Sequence, residues 1–515
     1  MTRRFLITTA DERSWKLNQP VLFLGGWCKL YSRRHIWSKL DSAVAAPYGL
    51  EPGQKDTLND LALKMERDLF PAVCDVLNYH HKVQYSQRYW KIVVGYWFRL
   101  FLFIVINRYN TLVQCLKNYE VDGTIVFSDK DYSLETKESY SIFQICNNDK
   151  WNNILYSHIL THLQKTAFPI EYIDFHDTSS FKQTREHLEV PKSITNRILK
   201  SVLRKVVKVA PLFSRESDSV IVSTYLPVSV EKKLYLALGQ VPQHYTLHSN
   251  ETKEDADRGV REALTERITF EKSDPLEGIL RALLFELLPV CYLEGFESLQ
   301  ASVSELRWPS KPKFIFTSSN FAFDELFKLW AASKVEKGTP YIIGQHGNGH
   351  CTRKRNHFLN EEQFADKIIT WGSHDTGHHQ SIPGFIFKTV GKKQDYNRQG
   401  GLILVQVSQN YLCTLWDETP EYVNYWEDQK EFIQFLDEIP KSKLTIRLKA
   451  DSIEHNLTWS ENERWREFDS SLILDDGVKP IQNLISENRL IVHSYDSTGI
   501  LENLSQGVPM IAFWQ

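Results

Sequence analysis

Residues Asn488–Trp514 read NRLIVHSYDSTGILENLSQGVPMIAFW. The apolar run Leu490-Ile491-Val492 ends in small polar residues, helical spacing follows from Ile500 to Leu504, and Gly507-Val508-Pro509 leads into a second apolar run. This is the pattern strand, polar turn, helix, strand. A Ser/Thr/Gly turn at a helix start exposes backbone N–H groups and the positive end of the helix dipole, a setting that suits phosphate. His493, Asp496, Ser497, Thr498 and Gly499 are therefore the nucleotide-binding candidates of this stretch, with Glu502 one turn on as an acceptor for ribose hydroxyls. The same pattern also fits an ordinary N-capped helix of any α/β domain.

The preceding chain extends this pattern. Phe314-Ile315-Phe316 runs into Thr317-Ser318-Ser319-Asn320, residues 323–334 are helical in spacing, and Tyr341-Ile342-Ile343-Gly344 ends in Gln345-His346-Gly347. That is a βαβ unit whose two strands each end in a polar turn. His346 is a catalytic candidate, and Gln345 and Gly347 are nucleotide-binding candidates. Further strands are expected at 364–372 and, as a short last one, at Lys388-Thr389-Val390-Gly391. The polar segment 392–401, ending in Gly400-Gly401, marks a domain boundary, and Leu402-Ile403-Leu404-Val405 opens a new α/β pattern. In it Arg447 and Lys449 lie two residues apart on one strand, on the same face, and are placed to flank a phosphate. The expected division is 1–395 and 396–515.

The first part carries short strands at 5–9, 21–24, 124–127 and 219–223, with helical patterns at about 57–80, 88–117, from 149 to about 166, and from Asp274 to Gly295, where Asp274 is a suitable N-cap and Pro275 a suitable first residue. Asp129 and Asp131 follow a strand end and are candidate catalytic carboxylates. Arg88 and Trp90 begin a helix beside His80-His81, and with Trp27 after the second strand they are acceptor-binding candidates. Adjacent histidines point to different helix faces, so they make no metal pair. The basic stretch Lys192–Lys208 reads as a solvated helix face or a contact for charged lipid or polysaccharide.

With 515 residues the chain exceeds a single core, and a net charge of -3 gives no reason to expect nucleic acid as a partner. Seven scattered cysteines without a CxxC point to reduced thiols in a cytoplasm and to no zinc site. The most apolar run, 92–106, is interrupted by Arg99 and is shorter than the roughly 20 residues of a bilayer span. It reads as a buried helix, with peripheral contact at the membrane surface as the alternative.

Phe5-Leu6-Ile7-Thr8-Thr9-Ala10, Pro20–Gly25, Trp27-Cys28, Arg88-Tyr89-Trp90, Gly344-Gln345-His346-Gly347, Thr370-Trp371-Gly372 and Thr498–Glu502, in this order and spacing, resemble a family of transferases encoded in O-antigen and other surface-polysaccharide clusters. The resemblance runs over essentially the whole chain. It departs at Gly26, where an acidic residue is expected, and at Asn348–Lys354, where a glycine-rich continuation is expected.

The resemblance implies a GT-B-like α/β fold of two Rossmann-like domains around an interdomain cleft, the N-terminal one enlarged by helices. It implies transfer of a sugar from a nucleotide sugar to a glycan or lipid-linked acceptor. The family is also distantly similar to retaining β-Kdo transferases, which implies a CMP-activated keto-sugar as donor. The nucleotide sugar is then a substrate, no cofactor is expected, and with no DxD pair in a suitable place the reaction is expected to need no metal. The rivals are a polyol-phosphate or other phosphotransferase of the same fold and a non-catalytic polysaccharide-assembly protein. A second domain of this type continues past its last strand, so a truncated end is expected at Gln515.

Overall fold

A computed structural model describes residues 3–130, 134–163, 168–174, 214–243, 245, 252–268, 274–349, 361–372, 380–407, 419–448 and 459–513. The expectations for Asp131, Lys449 and the Lys192–Lys208 segment lie outside these residues. Fifteen described strands form three five-stranded sheets, and every pairing given for them is parallel. The first holds β1 (Arg4–Ile7), β2 (Val21–Phe23), β3 (Ser42–Val44), β4 (Val121–Phe127) and β5 (Ile170–Ile173), in the order β3-β2-β1-β4-β5. The second holds β6 (Val220–Val222), β7 (Ile315–Thr317), β8 (Tyr341–Gly344), β9 (Lys367–Thr370) and β10 (Ser381–Pro383), in reverse sequence order from β10 to β6. The third holds β11 (Leu402–Val405), β12 (Leu444–Arg447), β13 (Ile473–Asp475), β14 (Leu490–His493) and β15 (Met510–Ala512), in the order β13-β12-β11-β14-β15.

The α/β class read from the sequence holds, and the strand order of the first and third sheets is that of a Rossmann half. Two Rossmann-like units were expected and three sheets are found, because the strands from 220 to 383 pair only among themselves. The strand expected at Lys388–Gly391 is instead a 3-10 turn, Phe387–Thr389, and β10 takes the edge of the sheet. The helix expected from Asp274 to Gly295 starts as read, with Asp274 accepting from Leu276 N–H, but ends at Leu287, before Pro289. The Gly400-Gly401 pair has a steric reason: a Cβ on Gly401 would stand 2.0 Å from the Lys443 carbonyl oxygen, so β11 can enter the sheet beside that backbone only with glycine here.

Central strands are apolar on both faces, as parallel sheets covered on both sides require; Val21, Leu22 and Phe23 are all fully buried. The helix Gly95–Asn118 is buried almost all round its first 14 residues, Gly95–Arg108. It meets the helix Gln87–Val93 at 70°, and no single described helix is long and apolar enough to cross a membrane. Arg99, the interruption noted in the sequence, pairs inside the core with Glu66 at 2.8 Å.

A buried polar cluster ties the first and second sheets together. Glu325 and Lys328, one turn apart on the helix Glu325–Val335, pair at 2.8 Å. Ser139 donates to Glu325 from its backbone N–H at 3.1 Å, and Lys328 donates to the hydroxyls of Ser139 at 2.7 Å and Tyr292 at 2.6 Å. Removing one charge leaves the other buried without its counter-ion. Lys328→Met is therefore expected to destabilise the protein by about 3–5 kcal/mol in denaturant unfolding, with much of the loss recovered in Lys328→Met/Glu325→Gln. An unchanged midpoint for the single variant would contradict the role given to the pair.

Candidate functional site

The candidate site is built where strand ends of separate sheets meet. After β8 the chain runs Gln345-His346-Gly347-Asn348. Gln345 is buried and closes this turn from within: its Nε2 donates to the Gly347 carbonyl at 2.7 Å and its Oε1 accepts from Trp371 N–H at 2.7 Å. Gln345 therefore shapes the turn. His346 is held through the Ser318 backbone, and burial pushes its pKa below the usual value, so the imidazole is neutral at pH 7 and able to accept a proton. The Tyr225 ring stacks 6.5 Å from it and the Phe321 ring lies at 6.3 Å. Ser223 and Tyr225, at the end of β6, hold φ of 48° and 61°, the left-handed region that non-glycine residues seldom adopt and that recurs at binding sites.

Across from this turn, β14 ends at His493 and the helix Thr498–Gln506 begins. Ser497 is its N-cap, accepting from Gly499 N–H at 3.1 Å. Asn348 bridges the two sheets: its Nδ2 donates to Asp496 Oδ1 at 2.6 Å and its Oδ1 accepts from Thr498 Oγ1 at 3.2 Å. The Gln345–Asn348 and Asp496–Gly499 turns, read from the sequence as separate motifs, are thus brought together. At the switch point of the third sheet, Ser494 Oγ donates to the Val405 carbonyl at 2.9 Å and meets Tyr425 OH at 2.9 Å. Buried His493 contacts Asn503 at 2.9 Å through Nε2, and burial lowers its pKa to about 4. Its ring lies against Gly499, where a Cβ would come within 2.9 Å of it, so Gly499 is needed for packing as well as for any ligand approach.

The first sheet turns its carboxyl side to the same place. Lys55, at the start of the helix Gln54–His81, pairs with Glu421 at the start of the helix Thr419–Gln434. Tyr31 and Arg34, beyond β2, bond Glu467, and the Arg464 guanidinium lies 3.9 Å over the Tyr31 ring. Tyr96 packs edge-on against Phe321 at 6.0 Å and Tyr140 against Phe323 at 5.8 Å, so the end of β7 meets the first sheet's helices and loops. Pairwise contacts thus join the carboxyl sides of the three sheets, the side on which open α/β sheets bind ligands.

Other sequence candidates have different surroundings. Glu502 pairs with Lys388 at 2.9 Å, which leaves Asp496 as the carboxylate at the mouth of the helix Thr498–Gln506. Arg447 is held by Asp475 on β13 and by the Gly477 carbonyl at 2.8 Å. Trp27 and Trp90 are buried and donate to the Thr8 carbonyl at 3.0 Å and Asn78 Oδ1 at 2.9 Å, so neither offers a ring face to a ligand. Arg88 donates to the Phe364 carbonyl at 2.7 Å and pairs with Asp366 at 2.8 Å. Trp27 belongs to the first sheet, and Arg88 and Trp90 to a helix against the 361–366 turn, so the three are not brought together.

Asp129 sits beyond β4 and takes His158 Nε2 at 3.0 Å and Arg258 at 3.3 Å, which hold its pKa below the usual carboxylate range. It lines a cavity of about 400 Å³ with Thr161, His162, Tyr172 and the helix Pro275–Leu287. No described contact joins it to His346. Sequence reading missed Asn348, Tyr225 and Ser318; the polar Thr317–Asn320 turn was the available signal for the last. Five cysteines are buried free thiols, and Cys351 and Cys413 lie outside the described residues. Because Arg447 serves the sheet, Arg447→Ala is expected to lower folding stability by about 1.5–3 kcal/mol, the range for hydrogen bonds to a charged group. Denaturant unfolding checks it; an unchanged midpoint would release the side chain for another role.

No curated protein matches the chain. The family model described as LIC12162 family transferase matches residues 4–515. With the match covering nearly its whole length, the chain belongs to the LIC12162 family of transferases.

Proposed function

We propose that this transferase is a GT-B-type glycosyltransferase that moves a sugar from a nucleotide-activated donor to a glycan or lipid-linked acceptor in bacterial surface-polysaccharide synthesis. The reading is supported by one observation: the turn after β8 and the turn after β14 are joined through Asn348, so the carboxyl edges of two parallel sheets meet, the kind of place at which such sheets bind ligands. Residues 396–515 take the nucleotide, and the part up to 395 takes the acceptor. The first turn of the helix Thr498–Gln506 supplies backbone N–H groups and dipole for the phosphate, while Asp496, held by Asn348, stands beside them as an acceptor for a ribose or sugar hydroxyl.

His346, neutral and beside Tyr225, faces the sugar end. The fixed dipoles of the turn then stabilise the departing phosphate without a metal. The motif resemblance favours a CMP-activated keto-sugar such as Kdo as donor. A lipid-linked acceptor puts the enzyme at the cytoplasmic face of the membrane.

A ligand that binds only the folded state stabilises it by about 2.7 kcal/mol at a hundredfold excess over Kd. Thermal-shift measurements against CMP, UDP, GDP and dTDP are expected to show a rise in Tm for one of them, CMP first, and a smaller rise in Asp496→Ala. No shift with any of the four contradicts the proposal.

A further inference from the structure

The switch point of the first sheet holds a carboxylate that the reading above leaves unused. Asp149 is the first residue of the helix Asp149–His162, and its Oδ1 accepts from the N–H of Ala10, just beyond β1, at 3.0 Å. Asn153, one turn on, fills the gap between β1 and β4: it donates to Thr8 Oγ1 at 3.1 Å and accepts from Phe127 N–H at 2.7 Å. The helix start is therefore fixed at the carboxyl ends of the two strands where the order reverses, the place where such sheets bind ligands. Thr9, beside Ala10, is 1% exposed, and its hydroxyl has no hydrogen-bond partner. A buried hydroxyl without a partner is uncommon in a folded chain.

Asp149 also keeps accessible surface. Its neighbour Asp11 precedes Glu12, which holds Arg33 at 2.6 Å, and the next residue, Arg34, pairs with Glu463 and Glu467 of the third sheet's helix Glu461–Phe468. Asp149 thus stands on the side of the first sheet that meets the third. Desolvation raises its pKa to about 7, with the Ala10 hydrogen bond and Arg13 opposing and Asp11 reinforcing. Asp11 and Arg13, paired with each other, are the charged groups that act on it, and Lys150 follows it on the helix.

We propose that Asp149 is the general base of the transfer, taking the proton of the acceptor hydroxyl. This rests on the glycosyl-transfer reading. The acceptor O–H proton passes to Asp149 Oδ2, and the oxygen's electron pair forms the new bond to the anomeric carbon. The bond from that carbon to the nucleotide phosphate oxygen breaks, and its electron pair leaves with the phosphate. Asp149 then returns the proton to solvent. A single displacement of this kind inverts the anomeric centre, in contrast to the retaining β-Kdo transferases that the motifs distantly resemble. A base with a pKa near the working pH suits the task.

Hydrolysis of sugar nucleotides uses water as the acceptor and needs no knowledge of the natural one. With CMP-, UDP-, GDP- and dTDP-sugars, Asp149→Asn is expected to lower kcat for nucleotide release by about 100-fold or more, with nucleotide affinity by calorimetry within about twofold of wild type. The wild-type rate is expected to fall as pH drops below about 7, since the base must be ionised. The released sugar is expected in the inverted configuration.

A folded Asp149→Asn that hydrolyses at the wild-type rate overturns the proposal, as does retained configuration. A protein that binds none of the panel overturns the glycosyl-transfer reading itself, which calorimetry separates from a loss in kcat alone. Melting supplies a test independent of turnover. A carboxyl whose folded pKa lies above its unfolded value loses stability as pH rises between the two, so the Tm of Asp149→Asn is expected to exceed wild type by a margin that widens from pH 5 to pH 8. A constant margin overturns the proposal. Should Asp149→Asn fail to fold, Asp149→Glu and the wild-type pH profile decide, with a flat profile overturning the proposal.

Discussion

The contact on which this architecture turns is a single amide. Asn348 donates to Asp496 and accepts from Thr498, and so fixes the end of β8 against the start of the helix that follows β14. Both partners stand at carboxyl ends of parallel strands, where a sheet has no further neighbour to satisfy its backbone and polar side chains collect. The bridge brings two such edges face to face. Everything proposed about the site, from the neutral imidazole of His346 to the N-terminal N–H groups beyond Ser497, takes its geometry from that pairing.

The joints between sheets differ in kind. The first and second are held by the buried Glu325–Lys328–Tyr292–Ser139 cluster, whose members lose far more when separated than when kept. The third sheet shares the main apolar core and the Asn348 bridge with the others, and at the surface it adds Lys55–Glu421, Arg34–Glu467 and Lys388–Glu502, whose lysine and arginine side chains all keep contact with water. Exposed pairs of this sort contribute about 0.2–1 kcal/mol each.

Much of this was legible in the residues. Apolar runs ending in Ser, Thr, Asn and Gly gave β7, β8, β11 and β14 with their turns, because a strand buried on both faces and a polar carboxyl end leave a distinct local pattern. Asp274-Pro275 gave a helix start for an equally local reason. What the sequence did not disclose was partnership. Arg447 and Glu502 look like free charges until Asp475 and Lys388, 28 and 114 positions away, are seen to hold them. Trp27 and Trp90 look like sugar platforms until their indole N–H groups are found turned inward. The second sheet was not read as a separate one because sheet membership depends on long-range pairing, and the strands from 220 to 383 read the same whether they extend the first sheet or build their own. Asp149 was read only as a helix start, since its hydrogen bond to Ala10 spans 139 positions.

The central claim is that the carboxyl edges of three sheets enclose one binding site. Hydrogen–deuterium exchange of the full chain, with and without a saturating nucleotide identified by calorimetry, tests it most directly. Slowed exchange in the Gln345–Asn348 turn, the Asp496–Ile500 turn and the Thr8–Arg13 segment together, with the far ends of the sheets unaffected, is the predicted result. Protection confined to one of the three segments, or appearing around the Asp129–His158 cavity in their place, would contradict it.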